Sequence, residues 1–253
     1  MTLVLEHVSK SFGGLRATND VSLRVQERGI LGLIGPNGAG KSTIFNLVTG
    51  VYRADAGTIR FGEDNLGALA PARIASLGIA RTFQNIRLFA QLTVLENLLV
   101  AGESMKRAHL GAALFRSAKD RADEEATKAR AGELLRVFEL ENVAGAEPVS
   151  LPYGHQRRLE IARALMLAPR LLLLDEPAAG LNDAEAAALA TQIRWLRDEF
   201  ELAIVLVEHN MQVVMKVCEE IHVLDHGETI AHGTPETVRH DPKVLAAYLG
   251  EEA

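Results

Sequence analysis

The chain has 253 residues, 48% apolar and 24% charged, a globular composition that excludes disordered, collagen-like and disulfide-framework classes and allows one large domain or two small ones. Its 27 basic and 33 acidic residues leave a net charge of −6, which gives no general attraction to nucleic acid or anionic lipid. One cysteine, Cys218, makes neither an internal disulfide nor a zinc site, and the opening Met1-Thr-Leu-Val-Leu-Glu-His7 lacks a secretory pattern. No apolar run reaches the ~18 residues of a membrane span, so a cytosolic chain is expected.

Leu3, Leu5 and Val8, then Val21, Leu23 and Val25, alternate on either side of the turn-forming Phe12-Gly13-Gly14, which predicts antiparallel strands. Ile30 to Ile34 is instead a continuous apolar run, the mark of a strand buried on both faces of a parallel sheet. Directly after it comes Gly35-Pro36-Asn37-Gly38-Ala39-Gly40-Lys41-Ser42-Thr43, with the spacing G-x-x-x-x-G-K-[ST], opening a helix with Ile44, Phe45, Leu47 and Val48. Glycines let successive N–H groups curl round an anion, and the helix start adds partial positive charge. Lys41 is expected to supply a full charge to β- and γ-phosphates, and Ser42 its hydroxyl to the Mg²⁺ that bridges them.

Gln84, in Arg81-Thr-Phe-Gln84, stands where a β-rich segment passes into a different composition. A neutral amide there can contact Mg²⁺ or water without adding charge. From Thr93, a helix start with Glu96 three residues on, to Ser150, the text is rich in Ala, Glu, Lys, Arg and Leu. It has no buried-strand run and one helix-like stretch from Arg121 to Leu140, so a helical subdomain inserted into the α/β core is predicted. Phe83, Ile86, Leu88 and Phe89 form an apolar cluster that fits either a core or a partner surface.

Leu171 to Leu174 reads as a second buried strand, ending in Asp175-Glu176, and Leu202 to Val207 as a third, followed by Glu208-His209-Asn210. Paired acids at a buried strand end need a cation or a proton. A metal answers that need: Asp175 is assigned to Mg²⁺, directly or through water, and Glu176 to polarising the attacking water as general base. His209 fits a γ-phosphate contact or a satisfied structural histidine. Asn182 with Glu185, Thr234 before Pro235 and Asp241 before Pro242 mark further helix starts. His222, His226, His232 and His240 have no ligand spacing and are expected on turns and surface, Asp225-His226-Gly227 being a hairpin turn. Strands alternating with helices mean an α/β sheet with crossover helices.

Lys41, Gln84, Asp175-Glu176 and His209, in this order around a helical insert, resemble the ATP-binding subunit of ABC transporters over essentially the whole chain. Within that family the text is similar to the ATPases of branched-chain amino-acid importers at Arg81-Thr-Phe-Gln84, Arg87-Leu-Phe89, Leu92-Thr-Val-Leu-Glu-Asn-Leu98, Arg157-Arg-Leu-Glu-Ile-Ala-Arg163 and Ala247-Tyr-Leu-Gly250. The resemblance implies an α/β P-loop NTPase (RecA-like) core with an N-terminal antiparallel β subdomain and an inserted α-helical subdomain. Residues 1–92 and 156–253 would form the core, and 93–155 the insert ending in the signature motif.

It further implies Phe12 as the platform for adenine, Gln84 as a metal-contacting switch toward the permease, and His209 as the γ-phosphate contact. The signature, commonly L-S-G-G-Q, falls on Leu151-Pro152-Tyr153-Gly154-His155 and departs at Pro152, Tyr153 and His155. Gly154 still opens a helix carrying Ile161, Leu165 and Leu167, so a backbone N–H can face an anion, whereas a serine hydrogen bond worth ~1.5–3 kcal/mol is lost. The following D-loop, Gly180-Leu181-Asn182, has Asn182 where an aspartate is usual.

ATP brings about four negative charges, against about three positive from Lys41 and Mg²⁺, so another dipolar or cationic surface should cover the γ-phosphate. The resemblance answers with a head-to-tail pair of ATPase chains, a sister subunit or a second copy, in which Gly154 of one covers ATP held by the other. It also implies two transmembrane permease subunits, a periplasmic solute-binding protein reached indirectly, no nucleic-acid partner, and a peripheral place on the cytoplasmic face of the cell membrane. Other readings are the ATPase of a lipopolysaccharide or lipid exporter, a soluble ABC ATPase acting on DNA or ribosomes, and a P-loop kinase. The soluble class generally carries two nucleotide domains or a long insertion, and a kinase leaves the signature-like helix and His209 without purpose.

Overall fold

The structure, a computed structural model, describes residues 3–107 and 118–249, so Gly250 of the tail motif lies outside the described residues. In chain order the elements are β1 (Leu3–Phe12), β2 (Leu15–Val25), β3 (Ile30–Ile34), α1 (Lys41–Val48), β4 (Ala56–Phe61), β5 (Asp64–Asn65), α2 (Pro71–Ser76) and β6 (Ile79–Arg81). There follow α3 (Val94–Arg107), α4 (Ala118–Val137), α5 (Tyr153–Leu165), β7 (Leu171–Asp175), α6 (Asp183–Glu199), β8 (Ala203–Val207), α7 (Met211–Val217), β9 (Glu220–Asp225), β10 (Glu228–Gly233), α8 (Pro235–Arg239) and α9 (Pro242–Leu249).

The chain divides into two compact units, one formed by the chain up to Gln84 and from Arg170 onward, the other by Asn85–Pro169. In the first, β2-β1-β4-β5 make an antiparallel sheet, and a second sheet runs β10-β9-β3-β8-β7-β6. β6 pairs parallel with β7, β7 with β8, and β3 with both β8 and β9, so these strands all end at one edge. The apolar runs at β3, β7 and β8 are buried along their whole length, as continuous rather than alternating hydrophobicity requires.

One core joins the two sheets: Leu5, Leu23 and Phe61 of the antiparallel sheet share it with Ile44, Phe45, Leu47 and Val48 of α1. With 8 residues, α1 is too short to hold as an isolated helix in water. Burial of its apolar face, at ~1.5–3 kcal/mol per large side chain, is what keeps it formed.

The second unit contains α3, α4 and α5. Thr93 and Glu96 cap α3 reciprocally: Glu96 N–H donates to Thr93 Oγ1 at 3.2 Å, and Thr93 N–H to Glu96 Oε2 at 2.8 Å. Asn97, fully buried, ties the preceding loop to the helix, accepting from Phe89 N–H at 2.9 Å and donating to the carbonyls of Phe89, Leu92 and Thr93. The Leu92–Leu98 text therefore encodes a helix entry in full. α5 ends at Leu165, so Leu167, expected on that helix, lies beyond it.

His226 (φ 46°) and Gly227 (φ 82°) form the two-residue turn between β9 and β10, in the primed geometry that suits strand twist. Among the histidines expected on turns and surface, His222 is a correction. It lies in β9, 3% exposed, opposite His232 across the β9–β10 ladder, and its Nε2 meets Thr229 Oγ1 at 2.7 Å. Ligand spacing alone does not reveal this burial, because a two-residue period decides which face a strand histidine occupies only once the partner strand is known.

Burial, and then the nearby His232, push the His222 imidazole down to about 4. The unfolded histidine titrates near ~6.5, so between those values the unfolded chain binds the extra proton, and stability falls as pH drops, by roughly 3 kcal/mol over the full window. Urea unfolding at pH 7 and pH 5 checks this: His222→Gln should lose less stability between the two than the parent protein, and an equal loss would refute the assignment.

Candidate functional site

The parallel edge gathers the candidate residues. Gly35 to Gly40 leave the end of β3 and lead into α1. Gly40 has φ 103°, and a Cβ there would sit 2.4 Å from the Ala17 carbonyl oxygen, so only glycine fits. At Gly35 (φ 147°) a Cβ would come within 2.0 Å of Leu224 O. The loop is also tied from outside: Gly227 N–H donates to Ala39 O at 3.0 Å while Asn19 N–H donates to Gly227 O at 2.7 Å, which joins it to the β9–β10 turn and β2. Lys41 is buried and donates from Nζ to Gly35 O at 2.6 Å and Pro36 O at 2.8 Å, bent back over the loop it follows. Asn37, Gly38 and Ser42 are exposed, Thr43 is half-buried, and Pro36 and Ala39 are buried supports.

Phe12, expected as the aromatic platform, stands at the end of β1, is 40% exposed and meets Tyr52 edge-on at 4.9 Å. Tyr52 escapes a reading of the sequence, since nothing in its local text connects it to Phe12.

Asp175 ends β7 and is 4% exposed. The cation that answers its buried charge is Arg81, whose Nη2 lies 2.8 Å from Asp175 Oδ2, with both side chains under a tenth exposed. Arg81 also donates from Nη1 to Asn46 Oδ1 at 2.7 Å, and its guanidinium stands 5.3 Å from the Phe45 ring and 5.1 Å from the Phe83 ring. The sequence alone assigns this need to a metal. Arg81 enters there only as part of the Arg81-Thr-Phe-Gln84 motif, because an arginine at the end of a short edge strand gives no local sign of what it faces.

Glu176 follows Asp175 with φ 49°, a left-handed conformation uncommon for a residue with a side chain. Its Oε2 accepts from Gln84 Nε2 at 2.8 Å, and its Oε1 lies 2.9 Å from His209 Nε2. Thr82 continues the edge past β6, donating N–H to Leu173 O at 2.9 Å and accepting Asp175 N–H on Oγ1 at 3.2 Å, and this brings Gln84 alongside Glu176. Gln84, Glu176 and His209 thus meet, although 92 and 33 residues separate the first and last from the carboxylate. Glu208, buried beside them, has no role that its sequence position announces. Burial raises its carboxyl above the ordinary range, against the lowering effect of backbone hydrogen bonds.

In the D-loop, Gly180 has φ 78° and Leu181 N–H donates to Ala178 O at 3.1 Å. Asn182 caps α6: its Oδ1 accepts Glu185 N–H at 3.0 Å while Glu185 Oε2 accepts Asn182 N–H at 2.9 Å. Asparagine therefore does at the helix start what an aspartate would do.

The signature segment belongs to the helical unit. Leu151 is buried, Pro152 precedes α5, and Tyr153 and Gly154 open the helix without a side-chain cap, so its first N–H groups have no capping acceptor from Pro152. A Cβ on Gly154 would meet nothing within 4 Å, which leaves its backbone approachable. His155 N–H donates to Pro152 O at 2.9 Å, and Tyr153 Oη accepts from Arg157 Nη2 at 2.8 Å.

Among the described residues no cluster of three or more His, Cys, Asp or Glu side chains suits a metal. A Mg²⁺ held with phosphate oxygens needs only one or two carboxylates and neutral oxygens. The donors fit that demand. Ser42 presents a hydroxyl at the first turn of α1, Gln84 an amide oxygen, and Asp175 a carboxylate of which only Oδ2 is engaged by Arg81.

A family model described as "ABC transporter" matches residues 18–179, and one described as "Branched-chain amino acid ATP-binding cassette transporter" matches residues 228–253. The chain is similar to the high-affinity branched-chain amino acid transport ATP-binding protein LivG of Salmonella typhimurium, 46% identical over 250 residues that cover 98% of each. With the lipopolysaccharide export system ATP-binding protein LptB of Escherichia coli it shares 36% identity over 251 residues, 99% of this chain and 98% of that one. Among solved structures it resembles an ATP-binding cassette of an ABC transporter in its ADP conformation, with TM-score 0.84, 29% identity and 98% of both chains covered.

Removing Arg81 leaves Asp175 buried without its cation, a loss of the kind that costs about 3–5 kcal/mol. Arg81→Met should lower the urea-unfolding free energy by that amount. Arg81→Lys should recover only part, because an ammonium cannot serve Asp175 and Asn46 with one planar fork. Unchanged stability in Arg81→Met would refute the ion pair.

Proposed function

The chain belongs to the ABC transporter family of ATP-binding proteins, and from that premise we propose that it is the ATP-hydrolysing subunit of an importer of branched-chain amino acids. The observation that carries the hydrolytic reading is the meeting of Glu176 with Gln84 at 2.8 Å and His209 at 2.9 Å, on the same sheet edge as the glycine turn. Lys41 exchanges the carbonyls of Gly35 and Pro36 for the β- and γ-phosphates, while the N–H groups from Gly38 to Thr43 cradle them. Phe12, backed by Tyr52, stacks on adenine.

Ser42, Asp175 and Gln84 would hold Mg²⁺, which when bound supplies positive charge to the β- and γ-phosphate oxygens. Glu176 takes the proton of the attacking water. His209 steadies that carboxylate through Nε2 and offers the same N–H to the γ-phosphate when nucleotide is present.

A second ATPase chain, a sister subunit or another copy, completes the site. The open start of α5 at Gly154, with Leu151, Pro152, Tyr153 and His155 around it, covers the ATP of the partner, and the Gly180–Asn182 loop faces it. ATP then joins the two chains and hydrolysis releases them. Among the described residues no helix is long and apolar enough to cross a membrane. Two permease subunits would supply the path, with this chain on their cytoplasmic face, a reading supported by the likeness to transport ATP-binding proteins. Phe89, 49% exposed, with half-buried Ile86 and Leu88 beside it in sequence, offers apolar surface for a permease helix. The amino-acid assignment is supported by the likeness to LivG and by the match of the C-terminal residues, and it is favoured over lipopolysaccharide export by the lower identity to LptB.

Glu176→Gln should slow ATP turnover by ~10²–10⁴ while leaving Mg-ATP affinity within a few-fold; hydrolysis at the parental rate would refute the general base. Reconstituted with two permeases and a periplasmic binding protein, the ATPase rate should rise with a branched-chain amino acid. Stimulation by a lipid substrate instead would overturn the importer assignment.

A further inference from the structure

Glu208 is the residue before His209 and is 3% exposed, yet no ion pair among the described residues answers its charge. Three backbone N–H groups do. Oε1 accepts from Ala178 at 2.5 Å, and Oε2 accepts from His209 at 3.0 Å and Asn210 at 3.1 Å. The two oxygens therefore serve different loops, Ala178 on the chain after β7 and His209 and Asn210 on the chain after β8.

Those two loops carry the residues that meet. Glu176 and Ala179 close a turn around Ala178, with Ala179 N–H donating to Glu176 O at 3.1 Å, and His209 reaches Glu176 Oε1 at 2.9 Å. Strand pairing gives little help beyond this point, because Asp175 opposite Val207 ends the β7–β8 register and, among the described residues, Glu176 N–H to Val207 O, at 2.8 Å, is the last backbone bond across. Past it, the backbone of one loop is held to the other through the Glu208 carboxylate. Its hydrogen bonds go to the backbone of these two loops and not to the glycine turn, so its action on the chemistry passes through Glu176 and His209.

We propose that Glu208 is a positioning residue for hydrolysis: its carboxylate clasps the turn after β7 to the turn after β8 and so holds Glu176 against His209 in the arrangement that activates water. The proposal rests on the ATPase reading given above. A carboxylate suits the task where its amide does not, since all three partners are donors and both oxygens must accept. Glutamine turns an NH₂ group toward one of the N–H partners and opens one arm, while alanine opens both and leaves the donors buried.

The test compares the full-length protein with Glu208→Ala and Glu208→Gln, measuring kcat and KM for Mg-ATP, binding of a fluorescent ATP analogue, and thermal melting. A displaced general base predicts a fall in kcat of about 10²-fold for Glu208→Ala, a smaller fall for Glu208→Gln, and KM and analogue affinity within about two-fold. In a Glu176→Gln background, followed by long incubation with radiolabelled ATP, Glu208→Ala should cost less than about two-fold more, because the group it positions is already gone.

Unchanged kcat, a loss of affinity in proportion to kcat, or the full loss repeated in the Glu176→Gln background would overturn the proposal. Should Glu208→Ala fail to fold, Glu208→Gln, which keeps the volume and one acceptor, carries the same comparison. Glu176→Gln turning over at the parental rate would refute the general-base reading itself, and the split between kcat and KM would then decide the role of Glu208 alone.

Discussion

Parallel pairing of β6, β7, β8 and β3 is the constraint from which the candidate site follows, because strands that run the same way must deliver their carboxyl ends to one edge. Gln84, Glu176, His209 and the glycine turn each come from a different strand end. No local propensity brings them together. Burial on both faces makes β3, β7 and β8 continuous apolar runs.

Charge is handled at that edge in three ways. Asp175 is answered by a full cation, Arg81, and Glu208 by backbone N–H groups of two loops. Glu176, less buried than either, is held by a neutral amide and an imidazole. The three acids thus differ in their partners, although their sequence neighbourhoods are alike.

The helical unit is stabilised by its own means. Asn97 fixes the loop before α3, and the Arg157–Glu160 pair, almost wholly buried at 3.0 Å, stands in α5 behind the open helix start at Gly154. The departures at Pro152, Tyr153 and His155 leave the helix start intact. Proline suits the entry to a first turn, and Tyr153 has its hydroxyl on Arg157.

Much was legible in the residues alone. The glycine turn, the buried strands, the capping pairs Thr93–Glu96 and Asn182–Glu185, and the hairpin turn at His226-Gly227 are local, each specified within a few positions by steric and hydrogen-bonding demands. The acids at 175 and 176 were legible too, since a buried run cannot end in charge without a purpose. What only the tertiary structure decided is which distant groups answer which charges: Arg81 rather than a metal alone beside Asp175, Tyr52 behind Phe12, His222 inside the β9–β10 hairpin, and Glu208 between two loops. Such pairings depend on strand order and register, which many residues fix jointly, and no single window of the chain contains them.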